Sequence, residues 1–250
     1  MTPTTQNIPT RLAPQHIEHY NREGYVLFHQ PVFAPEKFAR LQAIFEENLQ
    51  KYGEDDLDTM HFRDARLLEF LLSDEVLDLI EPVVGPDIGL WSSHFISKPA
   101  GVGKATPWHE DSAYWNGRIS TMEGICTVWL ALDKVDAENG AMKVIPGSHA
   151  NGFSEYEEVS KDSNIFHIEI KPEQVDESRA VTFDLEAGEC SLHEARIIHG
   201  ADANRSTRRR AGYTMRYFPL SSRVHSEQDP EHKLWLARGT DRAGNVFENS

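Results

Sequence analysis

Apolar residues recur at helical spacing in the first third of the chain and at strand spacing afterwards. Behind Pro35, the residues Phe38, Leu41, Ile44, Phe45 and Leu49 fall on one face of a 3.6-residue repeat and predict an amphipathic helix. Residues 13–22 predict a shorter helix ending before Gly24, and residues 67–72 and 76–84 predict two more, stopped by Gly85 and Pro86. Tyr25–Phe28 reads as a strand by composition. From Ile88 the period becomes two. Ser92, His94, Ile96 and Lys98 share one face of a strand, Trp91, Ser93, Phe95 and Ser97 the other. Residues 125–132 place Thr127, Trp129 and Ala131 together, and residues 142–145, 181–183, 190–199 and 211–217 predict later strands. Short strands after a helical start predict a mainly β fold with flanking helices, a cupin-like jelly roll. Residues 1–12 are polar and expected to be flexible. Residues 150–178 are charged and without period, the pattern of a lid or insert loop; residues 54–58 read as a solvated acidic loop. At 250 residues, one domain spanning 1–250 is the economical expectation.

Candidate chemistry gathers at two places. Residues 108–111 read Trp-His-Glu-Asp, and residues 196–200 read Arg-Ile-Ile-His-Gly. In a strand, His109 and Asp111 would share a face, and His199 on a returning strand would complete a two-His-one-carboxylate set, the arrangement expected for non-haem Fe(II). With twelve histidines and forty acidic residues in the chain, an His-x-Asp pair by itself fits a surface position equally well. Eleven residues past His199 stands Arg210, whose planar guanidinium suits bidentate capture of a carboxylate. A metal triad with a buried carboxylate clamp behind it is what a 2-oxoglutarate site requires. By alternation Gly212, Thr214 and Arg216 share the face of Arg210, and Arg216 reads either as support for the site or as an anchor for a substrate anion. Arg205, Arg208 and Arg209 read as a solvated basic turn capped by Asn204 and Ser206, and His149 as part of a structural turn. Tyr114, Trp115, Trp91 and Phe95 could supply an aromatic surface for a small molecule, and His193, in phase with His199, could point into the barrel.

The chain resembles the phytanoyl-CoA dioxygenase family of Fe(II)/2-oxoglutarate oxygenases. The likeness lies in Lys98-Pro99, Trp108-His-Glu-Asp111, Thr127-Val-Trp-Leu-Ala-Leu-Asp133, Glu138-Asn-Gly140, Pro146-Gly-Ser-His149, His199-Gly200, Asn204-x-Ser206 and Arg210, in that order, over about residues 15–220. The resemblance implies a double-stranded β-helix with iron held by His109, Asp111 and His199. It implies that 2-oxoglutarate chelates the metal, that Arg210 grips its far carboxylate, and that Trp129, His94 and, more weakly, Thr127 contact it. It implies O₂-dependent hydroxylation with release of succinate and CO₂, and the presence of Asp111 favours hydroxylation or desaturation over halogenation. Rival readings are a catalytically silent metal- or metabolite-binding jelly roll and a cupin-type enzyme, with zinc for instance, that does not use 2-oxoglutarate.

Composition narrows the partners. A formal charge of −15 argues against nucleic acid and anionic membranes, and gives no basic track for an acyl-CoA. It favours a cationic or zwitterionic small substrate, such as an amino acid, betaine or aminophosphonate, with Tyr114, Trp115 and Arg216 as candidate contacts and Lys98 as a second cation. Two cysteines, Cys126 and Cys190, make no disulfide framework. With no secretory signal, no apolar run long enough to span a bilayer and a terminal Glu-Asn-Ser, the expected compartment is the cytoplasm. Oligomeric state is not readable.

Overall fold

In a computed structural model describing residues 11–160, 162 and 164–249, the first third of the chain is helical. Helix α1 (Pro14–Glu23) starts on a proline, where no amide partner is needed, and stops at Gly24, whose φ of 80° is left-handed. Strand β1 (Tyr25–Phe28) precedes helices α2 (Pro35–Tyr52), α3 (Leu68–Leu71) and α4 (Asp74–Val84). The predicted stripe of α2 is the buried one, with Leu41, Ile44 and Phe45 turned inward. Then come β2 (Ile88–Lys98), β3 (Thr106–His109), the short helix α5 (Ser112–Trp115), β4 (Cys126–Ala131), β5 (Met142–Val144), β6 (Tyr156–Glu158), β7 (Ile168–Ile170) and β8 (Val181–Thr182). The chain ends with β9 (Cys190–Glu194), β10 (His199–Ala201), β11 (Arg210–Pro219) and β12 (Trp235–Arg238).

The strands form a six-stranded sheet in the order β1-β9-β4-β11-β2-β12 and a four-stranded sheet in the order β3-β10-β5-β8. This is the expected jelly roll. Alternation along β11 divides the interior. Ala211, Tyr213, Met215 and Tyr217 join Leu41, Phe45, Leu77 and Ile80 in a core between the large sheet and the helices. The Tyr217 hydroxyl donates to the Leu71 carbonyl at 2.7 Å, so burial of this ring leaves no polar atom unpaired. The other face of β11, with Arg210, Gly212, Thr214 and Arg216, is turned between the sheets. Hydrophobic burial therefore fixes which residues are left to line the barrel.

Three expectations need correction, and a fourth falls mostly outside the described residues. The single strand expected over residues 190–199 breaks at Glu194, where the Ile197 amide turns back to the Glu194 carbonyl, leaving β9 in one sheet and β10 in the other. Residues 150–178 are not shapeless: β6 and β7 pair as an antiparallel ribbon that lies against β3. Most of the expected flexible segment 1–12 lies outside the described residues, and Leu12 is buried. Arg208 and Arg209 are not merely solvated, because Arg208 binds Asp136 and Arg209 grips Asp133 through two nitrogens. Asn204 closes this turn as expected, its amide donating to the carbonyls of Lys98 and Arg208 and its oxygen accepting from Ser206. No helix among the described residues is long and apolar enough to cross a membrane.

Candidate active site

One antiparallel pairing brings the two histidines together. His109, last residue of β3, stands directly opposite His199, first residue of β10. Their rings lie 4.0 Å apart, and one ligand atom each from His109, Asp111 and His199 falls within 4.8 Å of the others. The strand geometry expected for His109 and Asp111 is not what joins them. β3 ends at His109, and Asp111 already has helical backbone angles (φ −55°, ψ −37°) at the start of α5. The turn is held by the Ser112 amide on the Ala195 carbonyl, and it swings the carboxylate back beside the imidazole.

Each histidine is oriented from behind. His109 Nδ1 donates to the Pro107 carbonyl and His199 Nδ1 to the Ile197 carbonyl, both at 2.9 Å, which leaves Nε2 of each as the free lone pair. Burial pushes both imidazoles down from their ordinary value, so they are neutral ligands at pH 7. Burial alone would push the Asp111 carboxyl up. Arg216, His193 and His199 outweigh it and hold the group well below the usual carboxylate range. Thr127 donates to Asp111 Oδ2 at 3.0 Å, and Arg216 Nε approaches the same oxygen at 3.4 Å.

The large sheet supplies the floor in cross-strand rows. His193, Thr127, Arg216 and Ser92 form one row, and Ser191, Trp129, Thr214 and His94 the next. Arg210, opposite Lys98, lies beyond them. Arg210 is 3% exposed, stacks over Trp129 at 4.7 Å from the ring centre, and leaves Nε without a partner. Burial pushes its guanidinium down to about 10, and no carboxylate among the described residues answers it. A buried guanidinium with no acid beside it calls for an anionic ligand. Gly212 makes the stack possible: a Cβ there would lie 2.1 Å from Trp129 Cζ2.

Two cavities meet at the triad. One, of about 520 Å³, runs from His109, Asp111 and His199 to Trp129, Thr214 and Arg210. The other, of about 500 Å³, runs from Asp111 to Trp91, Tyr114, Trp115 and Arg118. His94, Asp111, Phe166 and Arg216 line both.

Residues 20–212 match the phytanoyl-CoA dioxygenase (PhyH) family. The chain belongs to the phytanoyl-CoA dioxygenase family. A phytanoyl-CoA dioxygenase domain-containing protein 1 homolog of Caenorhabditis elegans is 24% identical over 176 residues, covering 68% of this chain and 60% of that protein. The chain spans 43% to 60% of the length of three curated relatives it matches. Among solved structures, the non-haem monooxygenase ThoJ in its apo form superposes with a TM-score of 0.76 at 22% identity, over 93% of this chain and 88% of that one. The epimerase SnoN in complex with Fe³⁺, alpha ketoglutarate and nogalamycin RO gives 0.71 at 20% identity, over 94% and 95%. These likenesses show a shared fold.

Within this member of the phytanoyl-CoA dioxygenase family, several predicted residues stand elsewhere than expected. Thr127 does not line the Arg210 cavity; its hydroxyl is taken by Asp111. His94 faces both cavities, with Nδ1 3.6 Å from Asp58, and burial pushes it down to about 4. Lys98 is fully buried but donates to the carbonyls of Ala201 and Asp202, so it braces β2 against the end of β10 rather than meeting a substrate. Burial, then Arg210, push its amine down to about 6. Phe95 is stacked on Tyr213 in the helix-side core. Glu54 and Asp55, from the loop expected to be solvated, line the mouth of the Arg210 cavity. Tyr114, Trp115 and Trp91 do line the second cavity. His193 is buried beside the triad, Nε2 3.8 Å from Asp111 Oδ2, and neither ring nitrogen has a hydrogen-bond partner. Phe166 was not foreseen: its ring packs edge-on against His109 at 5.0 Å, from a segment whose sequence has no period to reveal it.

Proposed function

We propose that this protein is an Fe(II)- and 2-oxoglutarate-dependent dioxygenase that hydroxylates a C–H bond of a small zwitterionic molecule. The observation that carries the reading is Arg210, buried and acid-free on the Trp129 face, one cavity away from two neutral imidazoles and an ionised carboxylate. The donor set fits Fe(II): two nitrogens and one carboxylate on one side, with a cavity on the other. The Nε2 atoms of His109 and His199 and the Asp111 carboxylate would hold the metal, and Arg210 the 5-carboxylate of 2-oxoglutarate. Bound together, metal and cosubstrate supply dioxygen activation: substrate C–H, O₂ and 2-oxoglutarate become alcohol, succinate and CO₂.

The chain's own part is orientation and exclusion of water. The Pro107 and Ile197 carbonyls fix the imidazoles, and Thr127 and Arg216 fix one carboxylate oxygen and leave the other for the ion. Phe166 and Tyr114 close over His109, so the 150–178 insert serves as a lid. The second cavity carries both charge signs among aromatic rings, with Arg118 and Arg216 inside and Asp58 and Glu231 at exposed positions, which supports a small zwitterion such as an amino acid, betaine or aminophosphonate.

The test is succinate release under air from Fe(II)-loaded protein given 2-oxoglutarate and a panel of amino acids, betaines and phosphonates, beside Asp111→Ala. Succinate that depends on a panel member and vanishes in the variant is the expected result. Iron-loaded protein that binds 2-oxoglutarate and never turns it over would sink the reading.

A further inference from the structure

We propose that Arg216 is the specificity residue for the substrate, gripping an acidic head group (carboxylate or phosphonate) in the Trp91–Trp115 cavity; this rests on the oxygenase reading. Arg216 and Arg210 lie six residues apart on the inner face of β11, one in the row beside the triad and one beyond it. Arg210 lines the first cavity alone, whereas Arg216 lines both and reaches the second. Arg210 stacks on Trp129, which lines only the first; Arg216 stands over Trp115 at 5.5 Å, which lines only the second.

Charge balance points to the ligand. The Arg216 side chain is 12% exposed, and only its Nε has a partner among the described residues, the Asp111 carboxylate. That carboxylate is also the one that would neutralise a metal ion. A divalent metal, Asp111, doubly charged 2-oxoglutarate and Arg210 together sum to zero, and Lys98, pushed down to about 6 by burial, adds no full charge at pH 7. Arg216 is then left as a cation with free terminal N–H groups facing a cavity. Burying such a group costs free energy until an anion meets it.

The neighbouring cation is already satisfied. Arg118 lies over Trp91 at 4.9 Å and forms an ion pair with Asp229 at 2.5 Å. Trp91 and Trp115 meet edge to face, 6.3 Å between centres, and form the aromatic wall between the two arginines. Asp58 and Glu231, both exposed, stand at the cavity's border. A substrate with its acid on Arg216 and its cation toward Asp58 or Glu231 pairs the one arginine left over, and it lies against Asp111 with its backbone on the tryptophans.

The experiment uses the full chain loaded with redox-silent Mn(II) and saturated with 2-oxoglutarate, so that Arg210 is occupied. Methylphosphonate and acetate are titrated against acetamide and methylammonium, read by calorimetry and tryptophan fluorescence. The two anions bind and the other two do not. In Arg216→Gln the anion affinity falls roughly tenfold or more, and Arg216→Lys, which keeps the charge without the fork, recovers part of it. Circular dichroism of each variant verifies the fold, and a 2-oxoglutarate titration of each verifies that the first cavity is filled. Equal anion affinity in wild type and Arg216→Gln overturns the proposal, as does acetamide binding as well as acetate. A wild type that holds Mn(II) but not 2-oxoglutarate sinks the oxygenase reading instead. Anion binding is then compared in Arg210→Gln and in the Arg210→Gln, Arg216→Gln double variant, where equal affinities again overturn the role of Arg216.

Discussion

At the scale of single residues, Asp111 shows how the site is built by neighbours that never touch the reacting atoms. Its Oδ2 accepts from Thr127 at 3.0 Å, and His193 and Arg216 crowd the same oxygen. Removing the Thr127 hydroxyl frees the carboxylate to rotate. Thr127→Val, nearly isosteric in a buried strand, should weaken metal affinity roughly 10- to 100-fold while melting close to wild type. Competitive Mn(II) titration and a thermal melt check the pair of outcomes, and an unchanged metal affinity would remove Thr127 from the site. Gly212 makes the converse case, a residue that acts by being small. Gly212→Ala must push Trp129 off the Arg210 guanidinium, since the new Cβ falls 2.1 Å from its ring. The KM for 2-oxoglutarate should rise roughly tenfold, as expected when a stacked cation loses its ring and its fixed orientation. A KM within error of wild type would show that the stack does not preorganise the clamp.

At the scale of elements, the 150–178 insert makes contacts on both sides of β3. On the back of β3, the buried Glu110 carboxylate accepts from the Ser154 hydroxyl at 2.6 Å, and the Glu110 amide donates to Tyr156 Oη. Glu169 accepts from the Trp108 amide. On the front, Phe166 covers His109. Phe166→Ala should let water reach the triad and raise succinate made without substrate relative to succinate made with it, measured as the ratio of product to succinate; an unchanged ratio would show that the insert does not seal the site. This element was also the least legible in the sequence. Helices α1 to α4 and strands β2, β4 and β11 were readable because one face of each is buried against apolar neighbours, and burial writes a period into the chain; α5, a single turn, was not. The β6–β7 ribbon has three residues a side, and only Ile170 is fully buried there. Its placement rests on Ile170 and Tyr156 packed against Trp108, Ile145 and Ile198 and on side-chain hydrogen bonds to Trp108 and Glu110, too few contacts to leave a period. For the same reason His109, His199 and Arg210 were visible from spacing and family likeness, whereas the partners of Lys98 and Thr127 depended on cross-strand register that no local pattern records.

At the scale of the whole molecule, the jelly roll buries many titratable groups between or behind its sheets, and acid should find them. His61 is 2% exposed, packed against Trp235 and tied to Ser93, which also accepts from Tyr213. Burial, then His232, push its imidazole from 6.5 down to about 3. A depressed imidazole is neutral in the folded state where the unfolded chain already holds a proton, so the unfolded state binds more protons below 6.5. Stability is therefore fully present above pH 6.5 and falls as the pH drops from 6.5 toward 3. At pH 5 the loss from this one group is about 2 kcal/mol, at 1.36 kcal/mol per unit. His109 and His199 are lowered by burial as well and add to the loss in the metal-free chain. A metal held by both must be displaced before they protonate, so bound Mn(II) should shift stability by an amount that itself depends on pH. Urea midpoints at pH 7 and pH 5, for the apoprotein and the Mn(II) form, separate the contributions. His61→Phe should flatten the apoprotein's dependence by roughly one proton's worth and leave the metal's contribution intact. A variant as acid-sensitive as the wild type would mean that His61 already carries its proton in the folded state, and that the aromatic layer beneath β2 is open enough to solvate it.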